Sequence, residues 1–506
     1  MGSRDAGKRA TQVEGWAHQF MNFDRRLVPA AGAVLAGAGL IATASPLHLI
    51  GAVAFVLGVA IVGLTAPDYA LLAILVLFPV HPLAARVARF DFGVTGSALL
   101  VFSAWKEVAL VTVLGSELVR HVSTHPDWQT IRARLQIVDV SAAALAALLV
   151  LGLALNPTSL ALDQFRLWLF PVGAYAAVRL SRLTFRRFLE AAAVGAVAIG
   201  AFLIVQSSFL GVGFVLHYWA NAGGAVPSSF LANILQGPRG AGTFASPNEA
   251  ALAMAIWACM LTAAVLVLRE WRLWHALALG VVLVALAFTF SRSGDVAAFV
   301  GIVALIVVVG RSGGLIRKRR LAWLLVAIIA ASSISAGIYI QRGNISLIAN
   351  TVLTAAGQSD VPDPSMGGHA NSLDDALTLM ETHPTGVGLG NVGARTDPIT
   401  GEAQPYIVES YYLTMGVTFG WIGLVWALLL PIAFGLCAAR AIRRGMLLSG
   451  SALLGATLAT AIVSILLPTM AEPQIAMLPW ALAAFAVGPL LGERTGEPVP
   501  LDVDSR

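Results

Sequence analysis

The chain has 506 residues, 58% hydrophobic and 12% charged, with mean hydropathy +0.81. Soluble globular domains carry roughly 25% charged residues, so composition excludes that class and points to a polytopic membrane protein. The net charge of +5 is gathered in a few loops and does not argue for nucleic acid; Cys259 and Cys437 lie in apolar runs and suggest neither a disulfide framework nor a metal site.

Crossing a ~30 Å hydrocarbon core at 1.5 Å per residue takes ~20 residues. The first 26 residues are polar and read as a cytoplasmic tail; no cleavable signal peptide is expected, because the first apolar stretch begins at Leu27 without an obvious cleavage site. Apolar runs then predict helices near 28–44, 47–65, 69–83, 96–117, 138–155, 162–179, 188–209, 247–268, 274–290, 295–310, 321–340, 409–438, 446–468 and 474–491. The expected fold is an all-α, polytopic helical bundle of about 14 membrane helices, or 12 if the first two form an accessory hairpin. The membrane domain then spans 27–492, and 493–506 is a polar tail. No repeats or low-complexity tracts are visible.

Basic clusters mark one side of this bundle. They are Arg25/Arg26, Arg120 to Arg134, Arg179 to Arg187, Arg269/Arg272, Arg311 to Arg320 and Arg440 to Arg444. Short loops rich in Lys and Arg are cytoplasmic, so both termini are expected inside. Two long segments, 211–246 and 341–407, then face outward. The second is too long for a simple connector, and apolar spacing in Ile345–Ala355 and Leu373–Met380 predicts that it is partly helical.

The same threading collects Arg86, Arg89, Arg166, Arg239, Arg292, Arg342 and Arg395 on the outward side. Together they suggest a cationic pocket for a phosphate or diphosphate, which arginine binds with bidentate geometry. Snorkelling toward lipid headgroups is the plain alternative, and it suits Arg86 and Arg89. Arg292 is different: it falls in Ser291-Arg292-Ser293-Gly294, a tight connection between two apolar runs, with little freedom to snorkel. Glu409 opens the twelfth predicted segment. It either complements the helix dipole or serves as a general base tuned by burial and nearby Arg.

Lys106 and Glu107 lie mid-segment; adjacent helical positions do not face each other, so each is expected to pair with another helix. Gly386-Val387-Gly388-Leu389-Gly390 is no dinucleotide fingerprint, lacking a strand–turn–helix setting. His369 and His383 lack metal-ligand spacing, and Asn344-Ile345-Ser346 matches a glycosylation sequon that is short enough to occur by chance.

Four segments in order carry a resemblance. They are Arg239-Gly-Ala-Gly-Thr-Phe-Ala-Ser-Pro-Asn248, Phe288-Thr-Phe-Ser-Arg-Ser-Gly294, His383-Pro-Thr-Gly-Val-Gly-Leu-Gly-Asn391, and Val408-Glu-Ser-Tyr-Tyr-Leu413 followed by Gly420-Trp-Ile-Gly423. In this order the set resembles the bacterial O-antigen ligase and Wzy-type polysaccharide polymerase superfamily, over roughly residues 160–425. The resemblance implies a C-type membrane glycosyltransferase acting at the external face of the bacterial inner membrane. Its donor is an undecaprenyl-diphosphate-linked glycan, its acceptor a glycan or lipid hydroxyl, and it uses no metal or cofactor. By motif position Arg166, Arg239 and Arg292 would bind the diphosphate and Glu409 would act as catalytic base, with Asn248, Tyr412 and Lys106 as supporting candidates. The family's ligases carry His and Asn where this chain has Glu409 and Ser410, which favours a polymerase or exopolysaccharide branch, or a divergent member. Rival classes are a carrier of anionic solutes and a non-catalytic partner of other polysaccharide-assembly proteins.

Overall fold

A computed structural model describes residues 27–122, 132–220, 239–268, 270–311, 364–393 and 404–490. Among the described residues the chain is helical and forms no strand; Val392 and Tyr406 make an isolated bridge. The helices are α1 (Leu27–Thr43), α2 (His48–Thr65), α3 (Pro67–Leu77), α4 (His81–Phe90), α5 (Gly96–Ser103), α6 (Trp105–Val122), α7 (Ile137–Leu155) and α8 (Ser159–Leu180). They continue as α9 (Phe185–Val205), α10 (Pro247–Val267), α11 (Arg272–Phe288), α12 (Arg292–Arg311), α13 (Pro364–Thr382), α14 (Tyr411–Arg443), α15 (Leu447–Leu466) and α16 (Pro473–Val487). Nine helical stretches of the described residues are long and apolar enough to cross a membrane; α1, α11 and α16 are shorter apolar helices. The protein is an all-α polytopic membrane protein.

Each predicted segment coincides with a helix except 321–340, which lies outside the described residues together with 1–26 and the tail after residue 490. Three predicted segments are broken, one of them 409–438, whose helix α14 is interrupted at Gly420. The run 69–83 becomes α3, a 3-10 turn Phe78–Val80 and α4, at a point where Pro79 and Pro82 remove backbone donors. The run 96–117 becomes α5 and α6, joined at Ala104. The long segment between 341 and 408 does carry a helix, α13.

The chain divides into two compact units, Met1–Ile74 with Ala84–His125, and Leu75–Leu83 with Pro126–Arg506. In the first unit α1 and α2 form a close hairpin. A Cβ on Gly39 would fall 2.2 Å from the Phe55 amide nitrogen, and one on Gly58 2.4 Å from that of Ala36. Glycines let the two backbones touch, the usual way membrane helices gain packing without a hydrophobic driving force.

In the second unit α10 is the central helix, and nearly every residue from Pro247 to Leu266 is buried. Its sequence is apolar on all sides and rich in alanine, as a helix enclosed by neighbours requires. It packs against α9, α11, α12, α15 and α16, while α8 packs on α7 and α16, and α14 on α7, α13 and α15. Trp480 of α16 stacks edge-on with Tyr175 of α8 at 5.5 Å and with Phe434 of α14 at 5.2 Å, tying these three helices together.

One end of this unit is basic. Arg179 of α8 is buried, donates to Asp139 at 3.0 and 3.2 Å and to the Arg134 carbonyl, and reaches the Gly488 carbonyl after α16. Arg440 of α14 donates to Gln136 before α7 at 3.0 Å, and Arg186 bridges Glu190 and Glu270. The starts of α7 and α9 and the ends of α8, α14 and α16 therefore share one end. The described basic clusters of this unit collect there, as the charge pattern predicts.

The opposite end is defined by its own contacts. Ser291, which precedes α12, donates to Asn248 in the first turn of α10 at 3.1 Å, and Gln474 in the first turn of α16 donates to Glu249 at 2.9 Å. Ser410, which caps α14, donates to the Ser464 carbonyl in the last turn of α15 at 3.2 Å. Four helices therefore begin where α11 and α15 finish. α12 and α15 run antiparallel, with a Cβ on Gly301 falling 3.1 Å from the Gly455 carbonyl and one on Gly455 falling 3.0 Å from Leu305. Counting equal steps of 1.5 Å from that contact, Arg292 lies level with Ser464 and Asp295 with Ala461.

Candidate functional site

The non-basic end of the second unit holds the predicted residues Arg166, Arg239, Asn248, Arg292, Glu409 and Tyr412. Arg239 is the most firmly held. Its Nε donates to the Thr289 carbonyl at 3.1 Å and its Nη2 to Asn248 Oδ1 at 3.1 Å. Asn248 Oδ1 also accepts from Ser291 Oγ, so one amide oxygen ties the arginine to the turn between α11 and α12. The Gly240 amide donates to the Phe288 carbonyl at 2.8 Å, which docks the Arg239 segment along the same turn.

That turn is tighter than the sequence suggests. Phe290 takes a left-handed conformation (φ 50°), Thr289 and Ser291 are buried, and α12 begins at Arg292 itself. Arg292 is therefore a first-turn helical residue rather than a loop residue, and its side chain is exposed. A guanidinium there is not the charge a helix N-terminus favours, whereas an anion beside it would be favoured both by the arginine and by the helix dipole.

Glu409 also differs from its predicted setting. α14 begins at Tyr411 with Ser410 as its cap, so Glu409 lies before the helix and not in its first turn. The dipole explanation is thereby weakened. The Glu409 amide donates to Ser372 Oγ of α13 at 3.1 Å, and its side chain is half-buried. Ser410 fixes the helix start twice, accepting from the Leu413 amide and donating to Ser464. The Tyr412 hydroxyl donates to the Ala461 carbonyl at 3.2 Å. Glu409 and Arg292 thus both belong to the end of the unit where α15 finishes. Glu409 is tied to this end through Ser410 and Ser464, and Arg292 through Ser291 and Asn248.

Arg166 lies in the second turn of α8 and pairs with Asp163 at 2.7 Å, about half exposed. Its neighbours Leu167 and Trp168 line a small apolar cleft with Leu145, Tyr411, Met470 and Trp480, a lining that includes none of the predicted site residues. Lys106 belongs to the first unit. Contrary to expectation, it pairs with adjacent Glu107 at 3.1 Å, and its Nζ donates back to the Ser103 carbonyl at 2.8 Å. The break at Ala104 puts both residues in a first helical turn, where the long lysine chain folds over the helix start. Arg86 and Arg89 lie on α4 in the same unit, with Arg89 over the Phe90 ring at 5.4 Å. Arg342, Arg395 and the Asn344 sequon lie outside the described residues, as does the side chain of His369. His383 is exposed and contacts Thr382 at 3.0 Å; among the described residues no group of His, Cys, Asp and Glu is arranged for a metal.

Several residues that hold this end together were not among the predicted ones. Gln206, at the end of α9, accepts from the Ala241 and Gly242 amides through one oxygen. Gln164 of α8 accepts from the Gly390 amide at 2.6 Å and donates to the Val392 carbonyl at 3.0 Å, while Asn156 donates to the Leu389 carbonyl at 2.7 Å. The glycine-rich loop is thus a structural plug. Its Val387 and Gly388 amides take the Val417 and Thr418 carbonyls of α14, which breaks at Gly420 (φ 70°, ψ −160°) to admit it. A lone Gln or Asn at the end of an apolar run is the signal that was available for all three amide side chains.

Residues 277–428 match the family model of the O-antigen ligases (Wzy_C). The chain carries an O-antigen ligase domain. The match runs from α11 through the first half of α14, taking in Arg292, the glycine-rich loop, Glu409 and Tyr412; Arg166, Arg239 and Asn248 precede it. No curated protein matches the chain. The match to residues 277–428 supports the recognition made from four short motifs.

Proposed function

We propose that this O-antigen ligase-type protein is a glycosyltransferase that moves or polymerises glycan from an undecaprenyl-diphosphate-linked donor. The observation that carries the reading is the Arg239–Asn248–Ser291 network, which fixes one arginine and the Arg292 turn together at the end of the unit where Glu409 precedes α14. Arg239, Arg292 and Arg166 bind the diphosphate and offset the negative charge that develops on it as it leaves. Glu409 takes the proton from an acceptor hydroxyl. That oxygen forms its bond to the anomeric carbon, the bond from the anomeric carbon to the phosphate oxygen breaks, and the electron pair departs with undecaprenyl diphosphate. No nucleotide sugar, metal or cofactor enters the scheme.

The gathering of arginines at the opposite end supports an inner-membrane orientation in which the reaction face is external, since short basic loops remain cytoplasmic. Glutamate in place of the family's ligase histidine favours the polymerase branch. Other polysaccharide-assembly proteins are the natural partners. The test is Glu409→Gln, expressed in cells that depend on the protein for surface glycan. Glycan transfer is expected to cease while the protein remains in the membrane at normal level; full transfer by this variant would sink the assignment of the base.

A further inference from the structure

Asp295 stands apart from the other acidic residues of the second unit that are not fully exposed. Asp139 is met by Arg179 and Tyr175, Asp163 by Arg166, Glu190 and Glu270 by Arg186, and Glu249 by Gln474 and Ser246. The Asp295 amide donates to the Ser291 carbonyl at 3.0 Å, but its carboxylate, partly buried, has no hydrogen-bond or ion-pair partner among the described residues. It shares a helical face with Ala298, Ile302 and Leu305, which are all buried. The same face of α12 meets α15, where Leu305 approaches Gly455, so Asp295 lies level with Ala461, the carbonyl that takes the Tyr412 hydroxyl. A carboxylate on an inward face of a membrane helix is costly unless something donates to it. A helix start favours an acid, yet a serine or an aspartate at the exposed cap would serve that purpose without desolvation.

We propose that Asp295 binds the first sugar of the lipid-linked donor, accepting hydrogen bonds from its hydroxyl or amide N–H groups. The inference rests on the reading of Arg292 as a diphosphate ligand. Arg292 and Asp295 are three residues apart on one helix and so are neighbours on its surface, the arginine exposed and the carboxylate deeper. A diphosphate at Arg292 puts the sugar attached to it within one residue's reach, and an ionised carboxylate accepts from adjacent hydroxyls while offering no donor of its own. The pair therefore reads two features of one donor: the phosphate charge and the hydroxyl pattern next to it. The same carboxylate penalises a donor lacking those hydroxyls, because it would stay buried and unpaired.

The test measures binding of two probes to purified protein. One is bare undecaprenyl diphosphate; the other is the glycan-bearing lipid extracted from cells that make the protein. Wild type is expected to bind the glycan-bearing lipid more tightly. Asp295→Leu should lose at least ~10-fold of that affinity while binding bare undecaprenyl diphosphate as wild type does, a selective loss equivalent to ~1.4 kcal/mol. Asp295→Asn, which keeps one acceptor oxygen, should fall between, raising KM for the donor with kcat and its pH profile nearly unchanged. Equal affinity of wild type for both lipids, or an equal effect of Asp295→Leu on both, overturns the inference. Loss of kcat with a shifted pH profile in Asp295→Asn also overturns it, since that behaviour belongs to a base. If wild type binds neither lipid, the diphosphate reading of the arginines fails first, and the inference fails with it.

Discussion

Replacing Asn248 with alanine removes the acceptor shared by Arg239 Nη2 and Ser291 Oγ, each at 3.1 Å. A hydrogen bond from a charged donor is worth ~1.5–3 kcal/mol and a neutral one ~0.5–1.5 kcal/mol. The two share one oxygen and so do not add in full. Arg239 also keeps its bond to the Thr289 carbonyl, and its half-exposed guanidinium regains water. A loss of ~2–3 kcal/mol in transition-state stabilisation follows, or ~30–150-fold in kcat/KM. The loss should appear mainly in kcat, because the arginine is displaced from the charge that grows on the leaving diphosphate. Asn248→Asp keeps both hydrogen bonds but neutralises part of the guanidinium charge, so its defect should appear as weaker donor binding. The assay is glycan transfer by purified protein over a range of donor concentrations, with thermal melting as the control for folding. Wild-type kcat/KM in a folded Asn248→Ala variant would refute the idea that this amide aligns the site.

Three further outcomes follow from the geometry. Arg292→Lys keeps the charge but loses the planar fork that grips two phosphate oxygens, so transfer should fall ~5–30-fold, an energy of ~1–2 kcal/mol; an unchanged rate would make Arg292 a simple surface charge. Gly420→Ala places a Cβ 2.1 Å from the Pro384 carbonyl and 2.7 Å from the Thr385 backbone, in a backbone region that L-residues avoid. The plug loop should loosen, seen as faster hydrogen exchange of the Val387 and Gly388 amides, and unchanged exchange would contradict the account. Arg179→Met leaves Asp139 without its cation at the basic end; breaking a buried pair costs ~3–5 kcal/mol, so melting in detergent should drop clearly, whereas an unchanged Tm would mean that the pair is solvated.

Much of the fold was legible because a bilayer makes hydropathy speak loudly. Runs such as Pro247–Val267 and Leu447–Leu466 are long, apolar and nearly uncharged, and the basic loops that separate them gather at one end. What the sequence concealed was where helices break and start. The break at Gly420 depends on a loop that arrives from residues 384–388, a contact no local window contains. Glu409 was assigned to a helix because hydrophobic periodicity locates the apolar core and not the cap; Ser410 decides the boundary through its bonds to Leu413 and Ser464. The importance of Arg292 was ascribed to a short loop, whereas it begins a helix beside Asn248's partner Ser291. Asp295 went unremarked because one acid after a Ser-Arg-Ser-Gly stretch is unexceptional until its neighbours are known to be Ala298 and Ile302. Lys106 was credited with a distant partner because a continuous helix was assumed where Ala104 interrupts it.

The central claim is transfer of glycan from a lipid diphosphate at the Arg239–Arg292–Glu409 end of the bundle. Purified protein in liposomes, supplied with the glycan-bearing undecaprenyl diphosphate and an acceptor glycan or lipid, tests it directly. Stoichiometric release of undecaprenyl diphosphate with each glycan unit transferred is expected, abolished by Glu409→Gln and by Arg239→Ala. Glycan transfer without undecaprenyl diphosphate release, or both continuing undiminished in those variants, would contradict it.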